Sequence, residues 1–217
     1  MTVVGVVHPG SMGAAVAAQA RFNGAEVLWC PAGRSSATKK RAQRHGLTAV
    51  SDLGELTERA DVVLSICPPA YAEDVAVEVS AQSFTGIYVD ANAISPTSMA
   101  RVYAVMSRTG ATVVDGSVIG SPPSDSKSTR LYLSGPTDAL APVASLFTGT
   151  AVQAHQLPGG IGRASALKLS YSSYQKASRG GGAGADSLPK HNGGGGGGLD
   201  KAGGRPPNNQ TETGANP

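Results

Sequence analysis

From Met1 to about Ser178 the sequence alternates short runs of β-branched and apolar residues with longer Ala-rich or amphipathic stretches, a pattern that few architectures can satisfy. The short runs are Thr2 to Val7, Glu26 to Trp29, Asp61 to Ile66, Gly86 to Asp90 and Thr112 to Val114. They are continuously apolar rather than alternating, which predicts strands buried on both faces. Between them lie helical stretches at Ser11 to Phe22, Ser36 to His45, Leu53 to Ala60, Ala72 to Ser80 and Pro96 to Arg108. Strand, helix, strand in repetition is the signature of an α/β fold with a doubly wound parallel sheet. Two further strands, Arg130 to Ser134 and Ala151 to Gln156, flank a helix near Asp138 to Phe147 and extend the sheet.

The pattern breaks at Arg179. From there to Pro217 no Val, Ile, Phe, Tyr, Trp, Met or Cys occurs, and the run Gly193 to Gly198 lies among prolines and polar residues. Such a segment cannot offset its ordering entropy and is expected to be disordered. The abruptness of the change is what a shift of reading frame would produce. Charge is balanced, with 18 basic and 15 acidic residues scattered along the chain, so no basic stripe points to a nucleic-acid partner. No apolar run approaches the roughly 20 residues of a membrane helix. Cys30 and Cys67 form no C-x-x-C pair and no secretory leader is visible, which leads us to expect a reduced, cytoplasmic protein. His45, His155 and His191 are too dispersed to imply a metal site.

Strand one runs directly into His8-Pro9-Gly10-Ser11-Met12-Gly13 and then into a helix. This is where a dinucleotide (Rossmann) fingerprint belongs: glycines let the backbone approach a pyrophosphate, and the helix N-terminus holds the anion. Gly10 and Gly13 occupy the second and third glycine positions, and His8 stands in the first. His8 either hydrogen-bonds a phosphate or fills the space of the missing glycine. An NAD site places Asp or Glu at the end of strand two to accept hydrogen bonds from the ribose 2′-hydroxyl. Here Trp29-Cys30-Pro31-Ala32 leads to Gly33-Arg34-Ser35-Ser36. A guanidinium and hydroxyls suit a 2′-phosphate, so NADP (NADPH) is favoured over NAD. The alternative is that Arg34 is a solvated loop charge near Lys39, Lys40 and Arg41.

Taken together, Met1 to about Arg179 resembles the 6-phosphogluconate dehydrogenase-like, or 3-hydroxyacid dehydrogenase, superfamily. The resemblance rests on motifs in order: His8 to Gly13, Cys67-Pro68-Pro69 after the third strand, Asp90 to Pro96, Asp115-Gly116-Ser117-Val118-Ile119-Gly120-Ser121, and the Gly162 to Lys168 helix entry. It implies hydride transfer between nicotinamide and a small substrate. Cys67, Pro68, Pro69 and Asn92 would touch the cofactor, Ile119, Gly120, Ser121 and Tyr171 the substrate, and Lys168 would carry the proton. Spacing alone favours reading Lys168 as a surface lysine bordering a stripe of Ala164, Leu167, Tyr171 and Tyr174, and it is the resemblance that reverses this. Asp115 is expected to terminate the fifth strand rather than act as a base, and Cys67 to be a small apolar neighbour of the cofactor rather than a nucleophile.

The sequence departs from the family at Asn92-Ala93 in place of a Ser-Thr pair, at Ile119 in place of Ser, and at Tyr171-Ser172 in place of Asn. A less polar site suits a different carbonyl, or an imine. The expected organisation is a Rossmann domain over residues 1–158, the start of an interdomain helix over 159–178 and the tail over 179–217. In the family an all-helical domain follows that helix, closes the site and often forms a homodimer, and the tail cannot supply it. Three readings follow: an oxidoreductase of reduced activity, an NADP-binding module without turnover, or an interaction protein that uses its glycine-rich tail.

Overall fold

The computed structural model describes residues 1–180; the remainder of the expected disordered tail lies outside the described residues. The chain opens with β1 (Val3–Val6), α1 (Ser11–Phe22), β2 (Glu26–Trp29), α2 (Ser36–Arg44), β3 (Thr48–Ala49) and α3 (Leu53–Arg59). It continues with β4 (Val62–Ser65), α4 (Ala72–Ser80), β5 (Ile87–Asp90) and α5 (Pro96–Met106). Then follow β6 (Thr112–Ile119), β7 (Thr129–Ser134), α6 (Thr137–Ser145), β8 (Val152–Gln156) and α7 (Arg163–Gly180). The strands form one sheet in the order β3-β2-β1-β4-β5-β6-β7-β8. Its first six members have the Rossmann order, with the chain reversing direction of travel between β1 and β4.

The apolar runs produce this arrangement because neighbouring residues serve opposite faces. Val4 and Val6, Val27 and Trp29, and Val62 and Leu64 join one core with Val16, Ala17 and Ala20 of α1 and Leu140 and Val143 of α6. Leu28, Val63, Tyr88 and Val113 join the other with Leu56 of α3, Val75 and Val79 of α4, and Met99 and Val102 of α5. Helix starts are set locally: Ser35, Asp52 and Ser95 each accept a backbone N–H as N-caps of α2, α3 and α5.

Three features differ from the sequence reading. The two-residue β3 pairs with β2 at the sheet edge, Leu28 opposite Thr48, and is too short to leave an apolar signature. β7 runs antiparallel to β6, so the sheet is not wholly parallel; no crossover helix separates the two strands, and a parallel return would need one. Finally, β6 does not end at Asp115. It continues to Ile119 because β7 pairs with its second half, Asp115 opposite Ser134 through Ile119 opposite Arg130, which places Asp115 inside the strand.

Candidate dinucleotide and substrate site

Where the sheet reverses between β1 and β4, the turns leaving β1, β2 and β4 enclose a cleft of about 270 Å³. Open α/β sheets bind ligands at this place, outside the carboxyl ends of the strands. His8, Gly10, Gly33, Arg34, Ser35, Thr38, Cys67 and Pro68 line it. A larger open depression of about 740 Å³ lies at the opposite end of the strands, against Asp61, Gly86 and Thr112 at the starts of β4, β5 and β6, away from these turns.

Gly10 precedes α1 with no side chain capping the helix and no acidic residue in its first turn. Nothing lies within 4 Å of where a Gly10 Cβ would be, so that absent side chain leaves open space rather than fold contacts. Gly13 differs: its Cβ would stand 2.6 Å from the His8 carbonyl oxygen, so this glycine lets α1 close on the strand. Ser11 is exposed at the helix start, Met12 packs against the core, and the Pro9 carbonyl accepts from Arg41 Nη1 at 3.3 Å. His8 Nδ1 and Arg34 Nε are buried without a hydrogen-bond partner. Burial, then the Arg34 guanidinium, lowers the His8 imidazole from 6.5 to about 4, so it is neutral at physiological pH. An open glycine turn, a free helix N-terminus and two unpaired nitrogens fit an anionic, phosphate-bearing ligand. Ser35 caps α2 by accepting the Thr38 N–H at 3.3 Å, which puts a second helix start beside Arg34. Thr38, which also lines the cleft, escaped sequence reasoning because it reads simply as a helix residue.

The floor beside the cleft is a hydrogen-bonded polar group. Asn92 Oδ1 accepts the Cys67 N–H at 2.6 Å, and Asn92 Nδ2 donates to Ser65 Oγ and Asp90 Oδ2, each at 3.1 Å. Asn92 thus faces inward and shapes the turn that carries Cys67 and Pro68. Pro69 opens a short exposed 3-10 turn and does not line the cleft. Burial, then the Asp90 carboxylate, pushes the Cys67 thiol up to about 11, which leaves it protonated. Asp90 is fully buried, and burial raises its carboxyl from 3.8 to about 7, opposed by its Asn92 hydrogen bonds and aided by Asp115.

The remaining candidates gather at the carboxyl end of β6. Lys168, half-buried on α7, donates from Nζ to the Val118 carbonyl oxygen, and burial holds its ammonium below the ordinary lysine value. Ile119 is buried, whereas Gly120 and Ser121 are exposed in the following loop. Tyr171 is 37% exposed and its hydroxyl accepts from Gln175 Nε2 at 2.7 Å. None of these residues lines the cleft. Sequence reasoning also missed the role of Asp115, whose Oδ2 accepts the N–H of Gly162, just before α7, and of Ser165 in its first turn. One sequence signal existed: α7 begins after Gly162 without a capping side chain or an acid in its first turn, so its N-terminus needs a remote partner. Among the described residues, no group of three His, Cys, Asp or Glu could hold a metal, and no helix is long and apolar enough to cross a membrane.

Residues 3–157 match the family described as the NAD binding domain of 6-phosphogluconate dehydrogenase. A conserved protein of unknown function, itself structurally similar to 3-hydroxyacid dehydrogenases, superposes with a TM-score of 0.71 at 27% identity, covering 81% of this chain and 65% of that one. The 3-hydroxyisobutyrate dehydrogenase of Mycobacterium tuberculosis, solved with L-serine, gives a TM-score of 0.67 at 21% identity over 83% and 66% of the two chains. A reductive aminase from Aspergillus terreus, in complex with NADPH and ethyl levulinate, gives 0.68 at 16% identity over 83% and 63%. These last two share the fold. An uncharacterized 28.5 kDa protein of Methanothermus fervidus is 41% identical over 71 residues, which is 33% of this chain and 28% of that protein.

Proposed function

Because the chain belongs to the family of the NAD binding domain of 6-phosphogluconate dehydrogenase, we propose that it binds NADP(H) in the cleft between the β1, β2 and β4 turns and serves hydride exchange with a small hydroxyacid, carbonyl or imine. One observation carries the reading: at the sheet's reversal point, His8 and Arg34 each hold a buried nitrogen without a partner beside the open Gly10 turn. Gly10 and the start of α1 would face the pyrophosphate, and Arg34 and the start of α2 the 2′-phosphate. The absence of a carboxylate after Trp29 removes the group that would accept from a free 2′-hydroxyl and repel a phosphate.

A bound nicotinamide supplies the hydride chemistry. The chain's part is to hold the ring edge at the Cys67-Pro68 turn, with a thiol that stays protonated and unreactive, and to manage one proton. Lys168 is suited to that because it is half-buried and its ammonium is lowered toward a usable acid. The small-molecule substrate would meet Gly120, Ser121 and Tyr171, with Ile119 backing the loop. Titrating the chain with NADPH and NADH by fluorescence tests the cofactor: NADPH is expected to bind at least about tenfold more tightly, the worth of one charge-assisted contact. Equal dissociation constants would remove the preference.

A second reading, an NADP-binding module without turnover, is favoured by the outer half of α7. Leu169, Tyr171 and Tyr174 are 41%, 37% and 74% exposed, so no other described residue covers this part of the lysine helix. Turnover, not binding, separates the two readings.

A further inference from the structure

The first N–H groups of a helix have no intrahelical partners, and α7 supplies none from its own sequence. Those of Gly162, Ala164 and Ser165 are taken instead by residues of β6 and β7. Asp115 Oδ2 accepts the N–H of Gly162 at 2.9 Å and of Ser165 at 3.0 Å, while its Oδ1 accepts the Ser165 hydroxyl at 2.7 Å. Ser134 Oγ accepts the Ala164 N–H at 3.0 Å and donates to Asp115 Oδ2 at 3.1 Å. Ser117 Oγ donates to the Ala164 carbonyl at 2.8 Å. Asp115, Ser117, Ser134, Ala164 and Ser165 are all at 0% exposure, so water does not compete for the bonds among them. A carboxylate at a helix N-terminus also meets the favourable end of the helix dipole.

Ser165 and Lys168 are three residues apart and share a helix face. The same strand that receives Ser165 through Asp115 receives Lys168 through the Val118 carbonyl. We propose that Asp115 is the positioning residue for Lys168: by capping α7 from inside β6 it fixes the helix's rotation and height so that the amine lies at the carboxyl end of the sheet. This rests on the reading of Lys168 as the proton-handling group. It follows that the Rossmann unit itself, rather than a second domain, holds the lysine, since every bond in the clamp lies within residues 115–168.

The test uses the full 217-residue chain and two readouts that need no turnover. In the wild type, amide hydrogen exchange at Gly162 and Ser165 is expected to be slow although both lie at a helix start; exchange at the rate of an unstructured peptide would overturn the clamp. The pH dependence of Lys168 acetylation, read by peptide mass spectrometry against Lys39 and Lys40 in the same sample, reports the amine's surroundings. Asp115→Asn keeps one acceptor oxygen but loses the charge. Its Lys168 midpoint is expected to rise by about one pH unit as the helix start loosens and the amine gains water. Ser165→Ala, which leaves the carboxylate in place, shifts it the same way by less and decides the matter if the Asn variant does not fold. An unmoved Lys168 midpoint in folded variants would show that Asp115 merely stabilises the fold. NADPH titration of the same samples is independent: a wild type that fails to bind ends the cofactor reading and leaves the clamp as found.

Discussion

Arg34 and the two glycines of the β1 turn divide the work of the cleft between charge and space. Arg34 keeps a buried nitrogen unpaired beside a neutral His8, so the side chain has donor capacity to spare for a ligand. Arg34→Ala is expected to weaken NADPH by roughly 1.5 to 3 kcal/mol, the worth of a charge-assisted bond, and to leave NADH nearly unchanged. Paired fluorescence titrations measure this, and an equal loss for both cofactors would place the guanidinium away from the 2′-phosphate. The glycines make opposite predictions about stability. A Gly10 Cβ meets no protein atom within 4 Å, so Gly10→Val should fold normally and lose cofactor binding, because the new side chain stands where pyrophosphate meets backbone. A Gly13 Cβ would lie 2.6 Å from the His8 carbonyl, so Gly13→Ala should cost about 1 to 3 kcal/mol of stability by forcing α1 off the strand. Thermal melts run beside NADPH titration distinguish the two. A folded Gly10→Val variant with wild-type affinity would mean that this turn holds no phosphate.

At the scale of elements, β5 and β6 carry two fully buried carboxylates in register, Asp90 beside Asp115. Burial raises Asp90 from 3.8 to about 7, so between about pH 4 and 7 the folded chain holds a proton that the unfolded chain has lost. Stability from this group therefore falls as pH rises through that window, by at most about 4 kcal/mol. His8, lowered to about 4 by burial, works in the opposite direction across about pH 4 to 6.5 and must be cancelled by comparison. Wild type and Asp90→Asn share His8, so the difference between their denaturation free energies isolates the carboxylate. It should shift against the wild type as pH rises from 4 to 7, and a pH-independent difference would show that Asp90 does not titrate there. The same pair of strands shows what the sequence could disclose. β1, β2, β4 and β5 were legible within a residue or so because continuous apolar runs have no other comfortable home, and α1 and α4 matched to the residue. β6 was read short because Asp115, Gly116 and Ser117 look like a strand end. Their burial depends on β7 and α7, partners far away in sequence. The phosphate turn was legible as a local strand-turn-helix string, whereas the cap on α7 spans residues 115 to 165 and leaves only a missing local cap as its trace.

For the whole molecule, the two halves of the proposed chemistry are differently provided for. The proposed cofactor contacts come from the β1, β2 and β4 turns, all of which lie within the 3–157 segment shared with the family. Lys168 is held from beneath by β6, but Leu169, Tyr171 and Tyr174 on the following turns are exposed, so nothing among the described residues covers the amine from the substrate side. Relatives are longer, this chain matching 65% of the conserved protein with which it superposes at a TM-score of 0.71. Proton transfer requires the donor within about 3 Å of the reacting atom, and a site open to water gives up most of the gain from orienting its substrate. We therefore expect the 217-residue chain to bind NADPH and to oxidise it very slowly with any small aldehyde, ketoacid or cyclic imine. Joining a helical domain of the family type after Ser178 should raise turnover by at least about a hundredfold with little change in NADPH affinity, because the proposed clamp would already hold the lysine and the added domain would supply only cover. Lys168→Ala in that fusion should remove the gain. Steady-state NADPH oxidation on the three proteins decides it. Rapid turnover by the chain alone would show that the open cleft suffices, and an undiminished Lys168→Ala fusion would take the lysine out of the mechanism.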